Sequence, residues 1–232
     1  MRSLLVTVCA LAALASHVHA TVRITEFMSE GQGLIGQGSG ANRQREFFEI
    51  TNLGNVSVDV STWSYNDNNT NDPINFGPSF ASINAGESVI FTQMTADNFR
   101  TYWDLPTSVR IFSYLQLSNL GNADTINIYN SFTQDATTLV DSLTYTSDAR
   151  GSGLSRNRPF DGLTGQYPNS SWIDSVVSDQ FQSRLAPNPI FPIGPEYIDL
   201  ANPGVYVPSP TGAALLALGA VVARRRRSSV AT

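Results

Sequence analysis

Beyond residue 20 this 232-residue sequence has no cysteine and no histidine, and it has no lysine anywhere. Cys9, His17 and His19 all fall in the first twenty positions, and the 14 basic residues are all arginine. Each absence excludes a chemistry. Without thiols there is no disulfide framework, so a protein in an oxidising compartment would be held by packing alone. Without imidazole, thiol or a side-chain amine, zinc sites with nitrogen and sulfur ligands, Ser-His and Cys-His nucleophile pairs and Schiff-base chemistry all lack their parts. Charge is sparse, at 14% of residues, and its balance is −5. An acidic chain of this kind is not built to neutralise a nucleic-acid backbone. Long amphipathic helices are missing too, which leaves carboxylates, amides, hydroxyls and aromatics as the working material.

The two ends differ from the body. Arg2 followed by the apolar stretch Leu4 to Ala15 and the small-residue site Val18-His19-Ala20 has the layout of a secretory signal peptide over 1–20, with Thr21 as the expected mature start. At the other end, Pro208, Ser209 and Pro210 precede a small-residue apolar run, 212–223, and then Arg224, Arg225, Arg226 and Arg227. The run is shorter than the roughly 20 residues of a membrane span, but the arginine cluster is the basic stop that the positive-inside rule places on the cytoplasmic side. Without both ends, residues 21–207 hold nine arginines against all 19 acids, a balance of −10.

This order of proline pair, apolar helix and arginine cluster resembles the PEP-CTERM sorting signal of bacterial surface proteins, with Ser209 where that motif has glutamate. The resemblance implies a segment 205–227 read by an exosortase-type enzyme, with export started by signal peptidase and the C-terminal helix in the membrane before processing.

Within the body, apolar residues come in short runs bounded by Asn, Asp, Gly, Ser and Pro, the pattern of many short strands. Expected strands are Val22 to Phe27, Glu46 to Thr51, the alternating Val56, Val58 and Val60, Trp63 to Tyr65, Val89 to Phe91, Val109 to Tyr114, and a hairpin of Thr125 to Tyr129 with Leu139 to Tyr145. One short helix is expected after Thr95 as N-cap, with Phe99, Tyr102 and Trp103 on one side. Phe47 or Phe48, Trp63, Phe91 and Trp172 are the expected core aromatics. The fold class is all-β, a sandwich or barrel.

The strand sequences, taken in order, resemble a lamin tail domain: Ile24-Thr25-Glu26-Phe27, Glu46 to Gly54, Val58 to Trp63, Ala85-Gly86-Glu87, Leu117 to Asn122 leading into Thr125-Ile126-Asn127-Ile128-Tyr129, Val140 to Leu143, and Gly153-Leu154-Ser155-Arg156 before Trp172. The resemblance implies an immunoglobulin-like β-sandwich over 21–204. It also implies a non-catalytic accessory role, since fold alone does not assign chemistry. The insert Gly31–Ala41 and the segment Met94 to Ser108 depart from it and are expected to be loop excursions.

Three sets of residues carry candidate chemistry. Glu26, Glu46 and Glu49 could serve carboxylate-dependent glycoside hydrolysis, but alternation along a strand sets Glu46 and Glu49 on opposite faces, so Glu49 is read as a structural acceptor or surface group. The loop Asn66 to Asp72, with Asp67, Asn69 and Asp72, offers the hard oxygen ligands that calcium takes, without the EF-hand spacing. Arg43, Arg45, Arg150, Arg156 and Arg158 are read as sheet-surface ion pairs. The leading expectation is a non-catalytic exported envelope or extracellular protein without a cofactor, structural or adhesive, contacting exopolysaccharide or neighbouring surface proteins and no nucleic acid. The alternative is a calcium- or carbohydrate-binding module using Asn66–Asp72. A carboxylate-dependent hydrolase ranks third.

Overall fold

The short apolar runs fold into fourteen strands and one α-helix among the residues that the computed structural model describes: 22–31, 45–67, 73–113, 120, 123–146, 153–159, 171–188 and 199–206. In chain order these are β1 (Val22–Met28), β2 (Phe47–Asn52), β3 (Val58–Asp59), β4 (Ser64–Asn66), β5 (Ile74–Asn75), β6 (Ser82–Ile83), β7 (Ser88–Thr92), α1 (Ala96–Trp103), β8 (Arg110–Ser113), β9 (Asp124–Tyr129), β10 (Leu139–Tyr145), β11 (Arg156–Asn157), β12 (Ile173–Asp174), β13 (Arg184–Leu185) and β14 (Leu200–Ala201). The signal-like segment 1–20, the apolar run 212–223, Pro208, Ser209, Pro210 and Arg224 to Arg227 lie outside the described residues. Among the described residues no helix is long and apolar enough to cross a membrane.

A six-stranded sheet, in the order β12-β11-β1-β2-β7-β8, faces a four-stranded sheet in the order β10-β9-β4-β5. Between them lies a core rich in aromatics, as the sequence predicts. Phe48 stacks on Phe91 at 4.8 Å between ring centroids, and Tyr65 meets Phe48 edge-on at 5.0 Å. Trp172 meets Phe27 at 5.2 Å, and Trp63 belongs to the same cluster. Rings in such offset and edge arrangements add to the stabilisation from burial itself.

The expected Met94 to Ser108 loop is instead a crossover. Thr95 Oγ1 accepts the Asn98 N–H at 3.2 Å and starts α1. The helix returns the chain so that β8 runs parallel to β7, from Val89↔Arg110 to Thr92↔Ser113. A parallel neighbour needs such a connection, because a hairpin cannot supply one. α1 lies on the outer face of the six-stranded sheet and forms a second core there. Phe47 meets Phe99 at 5.4 Å, Trp103 meets Phe47 at 6.4 Å, and Ile90, Met28, Ala186 and Ala201 complete it. The sheet is thus buried on both faces, which is why all six residues of β2 are buried. Phe48 and Ile50 face the first core and Phe47 the second, so both phenylalanines of that strand are core residues.

The rest of the outer layer is the pair β13–β14 and the segment that follows it. β14 pairs with β13 through Arg184↔Ala201 and Leu185↔Leu200. The Ser155 N–H donates to the Leu200 carbonyl at 2.9 Å, and the Leu200 N–H donates to the Gly153 carbonyl at 2.7 Å. Residues Asp199 to Tyr206 therefore form a strap laid across the outer face.

Candidate functional site

The polar groups gathered under the strap are the strongest concentration of titratable chemistry among the described residues. Their placement begins with a β-bulge. β1 and β2 are antiparallel, with Ile24 opposite Ile50, but the register shifts between Ile24 and Glu26, so Glu26 faces Glu49 and Phe27 faces Phe48. A bulge inserts one extra residue into one strand and re-aims the side chains beyond it. Here it turns Glu26 to the outer face, which Glu49 already occupies by alternation along β2, and each is only 1% exposed.

Glu49 is surrounded by donors. Its Oε1 accepts from the hydroxyls of Thr25 at 2.7 Å, Ser88 at 3.0 Å and Thr51 at 3.2 Å, and its Oε2 accepts the Gly204 N–H at 2.7 Å. Burial pushes its ionisation upward, and these four donors pull against that. Glu26 is less well served. Its Oε1 accepts the Asn202 N–H at 2.9 Å and a short bond from the Ser155 hydroxyl, which also meets Ser175 Oγ at 2.7 Å. Its Oε2 has no hydrogen-bond partner among the described residues. Burial first, then the facing Glu49 carboxylate, holds Glu26 well above the usual glutamate range. Two like charges directly opposite are destabilising, and one of such a pair keeps its proton. The donor count places the proton on Glu26 and the negative charge on Glu49.

Glu46 lies apart from them. Its Oε2 accepts the N–H of Leu120, a residue of the inner core, at 2.7 Å. The opposite orientation of Glu46 and Glu49 agrees with strand alternation. The pairing of Glu26 with Glu49 does not follow from sequence spacing, because it depends on the bulge. The three acids are structural acceptors, and none is open to solvent: each is 1% exposed.

Two further buried charge networks correct the expectation of surface ion pairs. Arg45 meets Asp199 at 3.2 Å, and Tyr102 donates its hydroxyl to Asp199 Oδ2 at 2.9 Å, which anchors the start of the strap. A side chain at Gly31 would place a Cβ 2.8 Å from Arg45 Cβ and 2.9 Å from Asp199 Oδ2, so this corner admits only glycine. Arg158 meets Asp141 at 2.7 Å, each side chain 3% exposed. That pair closes the open edge of β1, where Asp141 accepts the Ile24 N–H at 2.9 Å and Arg158 donates to the Ile24 carbonyl at 3.1 Å. Burial raises Asp141 despite the arginine beside it. The pairs are buried because they satisfy backbone and strap groups that no strand reaches. Arg156 alone fits the expected surface pairing, at 2.6 Å from an Asp174 that is 55% exposed. Arg43 and Arg150 lie outside the described residues.

Of the calcium candidates, Asp67 follows β4 and is buried at 7% exposure. Asn69 and Asp72 lie outside the described residues. Among the described residues no group of three His, Cys, Asp or Glu side chains is placed to hold a metal ion. The strap contacts themselves escaped sequence reasoning, although the Asn202-Pro203-Gly204 turn is a local signal that the chain changes direction there.

The family model described as Lamin Tail Domain matches residues 15–147, more than half of the chain. The match ends before β11, whereas the resemblance read from the strand motifs runs on to Trp172. Comparison with the curated proteins gives no match.

Proposed function

This chain belongs to the lamin tail domain family, and from that premise we propose that it is a non-catalytic, exported bacterial envelope or extracellular protein whose immunoglobulin-like sandwich serves as a structural or adhesive module. The observation that carries this reading is the use made of the buried acids. Glu26, Glu46, Glu49, Asp141 and Asp199 each accept hydrogen bonds from the protein's own backbone or side chains. Asp141 closes a strand edge, Glu26, Glu49 and Asp199 fasten the strap, and Glu46 holds the backbone of Leu120. A β-sandwich with this interior, without histidine, lysine or cysteine beyond residue 20, suits a durable scaffold that works through its surface. Its partners would be exopolysaccharide or neighbouring surface proteins.

Export and display rest on the two ends. Signal peptidase would act after Ala20, and an exosortase-type enzyme would read Pro208-Ser209-Pro210, the apolar run 212–223 and Arg224 to Arg227. Deleting Arg224–Arg227 is expected to shift the protein out of the membrane fraction of its native cells. Unchanged fractionation would contradict the anchor. The intact mass of the mature protein reports both cleavages: a species starting at Thr21 and truncated near Pro208 is expected, and a full-length mass would overturn the sorting reading.

A further inference from the structure

The strap is fastened by unusual means. At β14 it has an ordinary partner in β13, but past Ala201 two of its backbone N–H groups go to carboxyl groups on the sheet, Asn202 to Glu26 at 2.9 Å and Gly204 to Glu49 at 2.7 Å. These two acceptors stand on adjacent strands as direct partners. The Gly204 amide is the more firmly held, because its acceptor Glu49 carries the charge of the pair and such hydrogen bonds are about twice as strong as neutral ones. The arrangement has one weakness, because two negative charges on facing residues, each only 1% exposed, cannot both persist. A single proton on Glu26, whose buried Oε2 has no donor to stabilise a charge, relieves it.

We propose that Glu26 and Glu49 form a one-proton latch: with one proton between them they grip Asn202 and Gly204, and ionisation of the second carboxyl drives the strap off the sheet. The groups around the pair favour the proton. Asp179, from the turn before β13, adds negative charge. The Tyr206 hydroxyl, on the strap, is held neutral by its own burial, with Arg158 and Glu49 pulling it in opposite directions. Arg158 follows β11 and is committed to Asp141. Ser155 just before β11, Asn157 in it and Ser175 just after β12 are neutral, and Ser175 bonds to the other two. Ser88, from β7, is neutral as well. At the start of the strap, Arg45 and Asp199 neutralise each other.

The released segment would be Asn202 to Tyr206, from which the chain continues into residue 207. Gly204 shapes it: its φ is +81°, and Val109 packs against the space where a side chain would be. The latch does not depend on what the C-terminal tail does.

Hydrogen–deuterium exchange of the full chain over a pH series tests the proposal, with β9–β10 as the internal reference. Relative to that reference, protection of Asn202 to Tyr206 is expected to fall by up to tenfold per pH unit once the second carboxyl ionises. Glu26→Gln leaves only the well-donated Glu49, so its relative protection is expected to stay flat, whereas in Glu49→Gln burial still acts on Glu26 and the fall is expected to be smaller. A strap that tracks the reference in the wild type would overturn the latch, and so would the same fall in either variant. Should neither variant fold, the carboxyl carbon-13 shift of Glu26 in the wild type decides. It is expected to stay protonated after the exposed Asp135, which its Thr137 hydrogen bonds hold below the usual range, has ionised, and titration of the two together would refute the proposal.

Discussion

Replacing Arg158 with methionine removes a charge from a pair in which each side chain is 3% exposed. Asp141 then keeps a buried carboxylate whose remaining donor is the Ile24 N–H, and the Ile24 carbonyl loses its bond from the guanidinium. Breaking a buried pair by removing one partner typically costs about 3–5 kcal/mol. For a domain of this size, each kcal/mol moves the unfolding midpoint by about 2–4 °C, so the expected fall is roughly 6–20 °C. Adding Asp141→Asn removes the stranded charge while an amide oxygen remains to accept the Ile24 N–H. The double variant should therefore recover most of the loss and settle within about 1–3 kcal/mol of the wild type, the remainder reflecting the bare carbonyl. Acid should help the single variant more than the other two proteins, because protonating Asp141 removes the same charge. Urea unfolding of the three proteins at neutral and mildly acidic pH measures all of this. A single variant within about 1 kcal/mol of the wild type, or a double variant no better than the single, would refute the claim that this pair seals the edge of β1.

Four other outcomes follow from the same structure. Trp103→Ala should cost about 3–5 kcal/mol in urea unfolding by emptying the second core, and a surface-like loss well under 1 kcal/mol would mean that α1 does not cover the sheet. Gly204→Ala meets a left-handed backbone, about 1–2 kcal/mol for a residue with a Cβ, and two Val109 carbons 3.1 Å away. Gly86→Ala has a similar φ of +74° and open space, so thermal melts should show the larger loss at Gly204, and equal losses would exclude the Val109 contact. The buried glutamates set a pH slope. Glu26 binds its proton more tightly folded than unfolded, so stability from that proton is complete below the ordinary glutamate range and lost as pH rises toward its folded ionisation, by at most about 1.4 kcal/mol per pH unit. Denaturant titrations should show Glu26→Gln flattening that slope, whereas an unchanged slope would assign it elsewhere. Calcium should leave the thermal midpoint where chelator leaves it, whereas a native-state ligand at a hundredfold its dissociation constant would add about 2.7 kcal/mol, and a raised midpoint would support the Asn66–Asp72 loop as a site.

Much of the sandwich is legible in the residues. The hairpin of TINIY and LVDSLTY, the Thr95 cap and the aromatic core each announce themselves by alternation or by a capping residue, because they are local. The second core is less visible. Met94 to Ser108 looks like an insertion until α1 is seen to bury Phe99, Tyr102 and Trp103 against Phe47, a contact between residues about fifty positions apart. β2 carried a clue: in EFFEIT the adjacent phenylalanines leave no wet face, which signals a strand covered on both sides. The glutamate pair was hidden for a different reason. Counting from Glu26 along a regular β1 gives the wrong partner, and only the bulge at Thr25 sets it opposite Glu49. Arg45 and Arg158 could not be told from surface arginines, since their partners Asp199 and Asp141 are 154 and 17 residues away in sequence.

Carboxyl footprinting of the folded protein, with each labelled acid located by mass spectrometry, tests most directly the claim that these acids serve the fold from inside it. Asp97, whose side chain is 98% exposed, should label at once together with Asp59 and Asp135. Glu26, Glu46, Glu49 and Asp141 should resist until the protein is unfolded. Labelling of Glu26 and Glu49 at the rate of Asp97 would mean that they face solvent, and the covered outer face, the strap and the latch would all be wrong.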